Sequence, residues 1–409
     1  MGNIRHVIVL LALSLLLSIQ TNGQDLVCNN YIKLQSDSST LAGMSYPYPR
    51  VKYVDNHSDN QSSLLIYYQG FYEHLLVDID TMIFEWVNLE KTKSQIIKIP
   101  IDSIFNEHNV EPRYMLNDFS LIENKLYLLV YDKLYVFEIS RRDVVFVEKI
   151  NLKKGFYWLT MVDQNHGIFM DYVGPNGEKN LITAYNINLR TLTSKKMSIS
   201  FRGTPYLKTE SSFFSETSEK IFIGYATSPT VFVLNKKAFT LDDSIRHSKV
   251  EDSHVVDTVQ FRDKMQFFKD LQTLDSNKFH YQTCYANDSF VFRGKTRSAF
   301  RTEHYLDIYK KNELHWDSVT TLFDGPYNLR KFKDSSLKYS STSFDPLSGT
   351  RAIILIGDVL YHVALEFEMS DNGSSIKFTK NSLLGLEGYS YLRSKNFKLC
   401  LYSYKLKYH

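Results

Sequence analysis

The chain has 409 residues, 43% of them hydrophobic and 14% aromatic, with a formal net charge of +3. Tyrosine (28) and phenylalanine (27) far outnumber tryptophan (3), which supplies a large core and favours strands over helices. With 17 glycines and 9 prolines a collagen-like or linker-like chain is excluded, and interleaved acidic and basic residues without a long run of one sign speak against nucleic-acid binding.

The first segment, "MGNIRHVIVLLALSLLLSIQTNGQ", has a basic start at Arg5, an apolar run from Val7 to Ile19, and small residues Thr21 and Gly23 before a cut near Gln24. It reads as a signal peptide over 1–23, leaving 24–409 as one domain in a secreted or periplasmic location. The apolar run falls short of the roughly 20 residues that span a bilayer, so no membrane span is expected. "DLVC", ending at Cys28, lacks the small residues that precede a lipid-modified cysteine.

Beyond "YIKLQ" the chain repeats a pattern. "YPYPRVKY" (46–53) sets Pro turns before aromatics and leads into "SLLIYYQGFYEHLLVDIDTMIFEWVNL" from Ser63; "EPRYML" (111–116) leads into "KLYLLV", "LYVFEI" and "VVFVEKI". "GFYWLTM" (155–161) precedes strand-like runs from His166, and "GTPYLK" (203–208) precedes "EKIFIGYATSPTVFVLNKKAF". "KFHYQT" (278–283) is a weaker opening to the runs from Asp288, "GPYNLRKF" (325–332) precedes those from Thr350, and "GYSYLRS" (388–394) precedes "NFKLCLYSYKLKYH". Each copy is a turn-initiated strand followed by up to three more, which makes an antiparallel four-stranded unit. Such units repeated radially form a β-propeller, which also disposes of exposed sheet edges. The expected fold class is all-β, a propeller with seven blades favoured and six possible; a β-solenoid or two-sheet sandwich is the alternative. The last copy stops at His409 without outer strands, and "NNYIKLQ" has no unit of its own, so pairing of the N- and C-terminal strands is expected to close the ring. One stretch breaks the pattern: in "SHVVDTVQFRDKMQFFKDLQTL" Val256, Val259, Phe267, Leu271 and Leu274 fall on helical spacing, predicting a helical insertion over 253–274, a flank cap or a lid.

Chemistry-bearing motifs are scarce. No G-x-S-x-G, H-E-x-x-H, G-x-G-x-x-G, phosphate loop or C-x-x-C occurs. "HNVE" (108–111) has no second histidine nearby and "DNHSDN" (55–60) lacks the glycine and closing glutamate of a calcium loop, so no metal and no cofactor is expected. Asn56, Asn60, Asn287 and Asn372 begin N-x-[ST] sequons. Cys28 and Cys400 lie near opposite ends, where ring closure and an oxidising compartment would allow a disulfide, the alternative being buried thiols. The best functional lead is the set of turn-plus-aromatic segments. If they begin the innermost strands, Tyr48, Tyr114, Tyr157, Tyr206, Tyr327 and Tyr391 line one mouth of the channel, accompanied by Arg50, Arg113, Lys208, Arg330 and Arg393. Rings stack on flat groups and guanidinium forks bind carboxylates, so such a mouth suits a glycan, a peptide or a partner protein. The other reading packs the rings between blades and spends the arginines on loop carbonyls.

The leader ending "NGQ", the irregular Tyr- and Lys-rich four-strand repeats and the late helical stretch together resemble exported β-propeller proteins of Bacteroidetes-type bacteria, over the whole mature chain. The resemblance implies fold and export and leaves activity open. Two functions fit: a non-catalytic binding propeller, or a polysaccharide-active lyase or hydrolase with its site in the channel.

Overall fold

The structure, a computed structural model, describes residues 25–37, 46–56, 61–71, 81–100, 116–140, 144–171, 174–176, 179–202, 212–225, 228–245, 280–281, 285–296, 304–312, 315–323, 340–341, 353–367 and 397–407. Strand β1 (Asp25–Asp37) precedes the first blade, which comprises β2 (Tyr46–Asn56), β3 (Gln61–Phe71), β4 (Thr81–Asn88) and β5 (Lys93–Pro100). Blade two holds β6 (Asp118–Ile122), β7 (Lys125–Val130), β8 (Lys133–Ile139) and β9 (Val144–Asn151); blade three holds β10 (Trp158–Met161), β11 (His166–Met170), β12 (Gly174–Asn176), β13 (Lys179–Asn188) and β14 (Ser194–Arg202). Blade four is β15 (Ser212–Glu216), β16 (Lys220–Tyr225), β17 (Ser228–Asn235) and β18 (Thr240–Ile245). In blade five the innermost position is shared by β19 (His280–Tyr281) and β20 (Tyr285–Ala286), followed by β21 (Phe290–Thr296), β22 (His304–Asn312) and β23 (His315–Phe323). Blade six begins with β24 (Ser340–Ser341) and β25 (Ile353–Ile356), continues through β26 (Val359–Phe367) and β27 (Phe397–Lys407), and takes β1 as its outermost strand.

The architecture is therefore an all-β propeller of six four-stranded antiparallel blades. The expectation of seven is corrected: "NFKLCLYSYKL" looks like the start of another unit, but β27 pairs along its length with β26 and supplies the third strand of blade six. Among the described residues there is no helix, and so none long and apolar enough to cross a membrane; the helical stretch over 253–274 lies outside the described residues.

Burial explains the strand sequences. A central strand of a propeller blade is covered on both faces, so it reads as a continuous apolar run rather than an alternation. In β7, Leu126, Leu128 and Val130 pack with Phe84, Ile97 and Ile99 of blade one, while Tyr127 and Leu129 pack with Phe169 and Ile187 of blade three. Blades three and four, four and five, and six and one share equivalent cores. The outer strand β5 alternates instead, with Ile97 and Ile99 buried and Lys98 exposed.

Within each blade strands alternate in direction, and the chain passes from the outermost strand of one blade to the innermost of the next. Connections between second and third strands, and between blades, thus leave one end of the ring, and the remaining turns leave the other. On the second end no connection exceeds five residues. Its turns repeat a device: the side-chain carbonyl of Asn88 accepts from the N–H of Lys91, that of Asn188 from Arg190 and Thr191, and that of Asn235 from Ala238. Each turn ends in a residue of positive φ, namely Thr92, Leu192 and Phe239. The opposite end sends out the long connections 72–80, 101–117, 203–211, 246–279, 324–339 and 368–396 beside short ones such as 131–132.

Candidate functional site

Between the inner strands of blades one to four, three charged side chains and two rings meet, joined by Lys236 from the turn after β17. Lys52 lies midway along β2, flanked by buried Val51 and Val54, and its ammonium reaches Asp118 at the start of β6 (2.9 Å) and Glu216 at the end of β15 (3.5 Å). It also donates to the Leu159 carbonyl at 2.6 Å and sits 4.8 Å from the Trp158 ring centre and 5.8 Å from that of Phe119. Desolvated cation–π contacts of this kind are worth about 2 kcal/mol. Asp118, 1% exposed, accepts from the Leu159 backbone N–H as well (2.9 Å). Glu216 takes a second ion pair from Lys236 (2.9 Å), which also donates to the Thr160 hydroxyl at 3.2 Å.

Two acids and two bases thus balance in a nearly closed space. Burial alone would raise the Glu216 carboxyl, but the ammonium groups of Lys236 and Lys52, with hydrogen bonds from Lys236 and Thr160, hold it down at about 2. Neighbouring ties run in register: Arg50 donates to the carbonyls of Leu116 and Asn117 (2.9 and 2.7 Å), Asn117 donates to the Phe156 carbonyl (2.7 Å), and the Met161 N–H donates to the Ser120 hydroxyl (3.0 Å). The inner strands of the first three blades therefore run parallel, side by side, around the axis. Among the described residues no group of three or more histidines, cysteines, aspartates or glutamates is placed to hold a metal.

The residues singled out from sequence fall as follows. Arg50 is spent on blade-two carbonyls, and Tyr157 is buried between blades three and four with its ring 5.6 Å from that of Phe214. Tyr48 lies on β2 opposite Gln69 of β3. Arg113, Tyr114, Tyr206, Lys208, Tyr327, Arg330, Tyr391 and Arg393 lie outside the described residues. Cys28 sits opposite Tyr404 and Cys400 opposite Lys33, so this register holds the two cysteines four positions apart along the ladder. Four residues of strand span about 13 Å, beyond the reach of a disulfide.

Sequence reasoning missed Lys52, Asp118, Glu216 and Lys236. They come from four separate segments and form no motif; the only signal was an isolated charge in each of several strand-like runs, as in "VKYV" and "NDFSLI".

No family model and no curated protein matches the chain. Solved structures with a similar fold include a candidate exported protein from Bacteroides fragilis, 13% identical with a TM-score of 0.48 over 94% of this chain and 95% of that one. They also include the glutaminyl cyclase of Myxococcus xanthus, 6% identical with a TM-score of 0.31 over 74% and 98% of the two chains. A third is a candidate 6-phosphogluconolactonase from Bacteroides fragilis, 10% identical with a TM-score of 0.39 over 77% and 93%.

Proposed function

We propose that the protein is an exported, non-catalytic binding propeller that recognises a glycan, a peptide or a partner protein at the end of the ring from which the long connections leave. The observation carrying this reading is the asymmetry of the two ends: short turns on one, several of them side-chain-capped, and on the other the connections 72–80, 101–117, 203–211, 246–279, 324–339 and 368–396. Recognition residues sit on long connections held by a rigid frame, because such segments vary without disturbing the core. Arg113, Tyr114, Tyr206, Lys208, Tyr327, Arg330, Tyr391 and Arg393 all belong to these segments.

The charged cluster is accounted for by ion pairing between blades, and Glu216 does not suit the acid of a hydrolase. Asp118 and Glu216 share one ammonium, which brings two carboxylates as close as a glycosidase pair. A glycosidase, however, needs one of the two protonated near neutral pH to serve as the acid. Glu216, with its pKa at about 2, stays ionised and gives up no proton. The cluster acts as a strut between blades and leaves recognition to the rim.

The test is a screen of the purified chain against immobilised glycans and peptides, followed by the variant carrying Arg113→Ala and Tyr114→Ala. Binding of the retained ligand should fall at least tenfold with the thermal midpoint unchanged. Unaltered binding by the double variant, or turnover of a polysaccharide by the wild type, would sink the proposal.

A further inference from the structure

The closing seam of the ring carries a feature that its core packing does not require. Strand β1 belongs to blade six through its ladder with β27, yet that ladder breaks after Lys33, opposite Cys400, and resumes only at Asp37, opposite Lys398. Leu34, Gln35 and Ser36 fall in the break, where the register gives their backbones no partner on β27. The N–H groups of Gln35 and Ser36 turn instead to blade one and donate to the two carboxylate oxygens of Glu85, at 2.6 and 3.1 Å. Glu85 stands on β4 with none of its surface exposed, and the Tyr68 hydroxyl of β3 donates to it at 2.9 Å.

This is an expensive way to hold a strand. A buried carboxylate is tolerated only when hydrogen bonds replace its lost hydration. Here two of the three donors come from β1, so with β1 undocked Glu85 would keep only Tyr68 in an apolar seam. Strand and carboxylate depend on each other. The topology adds a second asymmetry: β1 and β27 lie at opposite ends of the sequence, so their pairing closes the longest loop in the chain and comes after the local hairpins. As an outermost strand, β1 can also leave without breaking any other strand pair.

We infer that the ring opens and closes at the seam between blades six and one, with β1 undocking as a unit and Glu85 acting as the latch that holds it. Hydrogen exchange on the full chain, resolved by segment, tests this. In the wild type the amides of residues 25–37 should exchange through an opening that needs less denaturant than exchange of β7 and β8. Glu85→Ala should speed exchange over 25–37 at least tenfold and leave β7 and β8 unchanged. Gln35→Pro, which deletes one donor to the carboxylate together with the side-chain bond to the Ser94 carbonyl, should act in the same direction by threefold or more where Gln35→Ala, which deletes only the latter, does not, and this pair decides the matter if Glu85→Ala does not fold. Exchange of residues 25–37 only together with global unfolding in the wild type would overturn the inference. Unchanged rates over 25–37 in whichever of Glu85→Ala and Gln35→Pro folds would do the same.

Discussion

The turn that joins the third and fourth strands is built alike in several blades, and its second residue differs in one telling way. In blades one and three this residue is Leu89 and Leu189, whose backbone N–H groups donate to Ser62 and Asn165 and whose side chains pack into the blade cores. In blade four the same backbone bond, to the Glu219 carbonyl, is made by Lys236, and its side chain is just as buried at 6% exposure. Sequence shows the substitution once the turns are aligned, "NLEKT", "NLRTL" and "NKKAF". An aliphatic side chain there stabilises by hydrophobic transfer alone, whereas the lysine must recover its desolvation through partners. It does so through Glu216 and Thr160, so blade four gives up a plain core position to hold the axial carboxylate ionised.

Turning blade four into a copy of blades one and three breaks this contrast most sharply. Lys236→Leu removes the closer partner of Glu216 and leaves Lys52 at 3.5 Å. Breaking a buried pair from one side costs about 3 kcal/mol or more, to be read as a lower midpoint in urea. Adding Glu216→Leu should restore most of the loss, because two apolar groups in place of a buried pair are close to neutral. A double variant no more stable than Lys236→Leu would mean that the cluster does more than neutralise itself.

Acid sharpens the same comparison without mutation. The folded Glu216 carboxyl titrates at about 2 against an ordinary 4.5, so its contribution is complete above pH 4.5 and is lost as pH falls toward 2. His362, buried in β26, has its pKa pushed by burial from 6.5 down to about 4. The unfolded chain therefore takes up that proton first, and stability falls between pH 6.5 and 4 and then levels off for this group. Each shift corresponds to about 3 kcal/mol. Stability measured against pH should drop in two windows; His362→Leu should remove the upper one, and Lys236→Leu should shrink the lower.

Much of the fold was legible in the sequence because central propeller strands are covered on both faces. "KLYLLV" and "LYVFEI" fall on the buried β7 and β8, "VVFVEKI" falls on the outer β9, where Val145, Phe146 and Val147 are exposed, and the aromatic segments "YPYPRVKY" and "GFYWLTM" fall on or just before inner strands β2 and β10. Seven blades were favoured over six because an interior strand of one blade, here β27, looks in isolation like the first strand of another. The recurrent Asn-capped turns are a better ruler, since a turn position is fixed by one hydrogen bond while strand lengths drift. The charged cluster left only isolated charges within strand-like runs. Lys52, Asp118 and Glu216 meet only because inner strands of different blades run parallel, a relation that no spacing within the chain encodes. Glu85 did leave a trace, as a lone acid between Phe84 and Trp86 in a strand with buried neighbours.

Arg50 offers the smallest and cleanest separation of scaffold from rim. It was a candidate for ligand binding, yet its guanidinium bridges the carbonyls of Leu116 and Asn117 just before β6, which makes it the counterpart, two residues earlier on β2, of the Lys52 strut. Hydrogen bonds to a charged group contribute about 2 kcal/mol in sum when their acceptors are partly shielded. Arg50→Ala should lower the unfolding free energy by about that much, less than Lys236→Leu, and leave affinity for a ligand of the long-connection end unchanged. Arg50→Lys should recover part of the loss, since both carbonyls accept from the single Nη1 of the guanidinium, a place that a shorter, three-donor ammonium fills only in part. If Arg50→Ala instead weakened binding at constant stability, β2 would belong to the recognition surface and the division between an inert axis and a recognising rim would fail at its first residue.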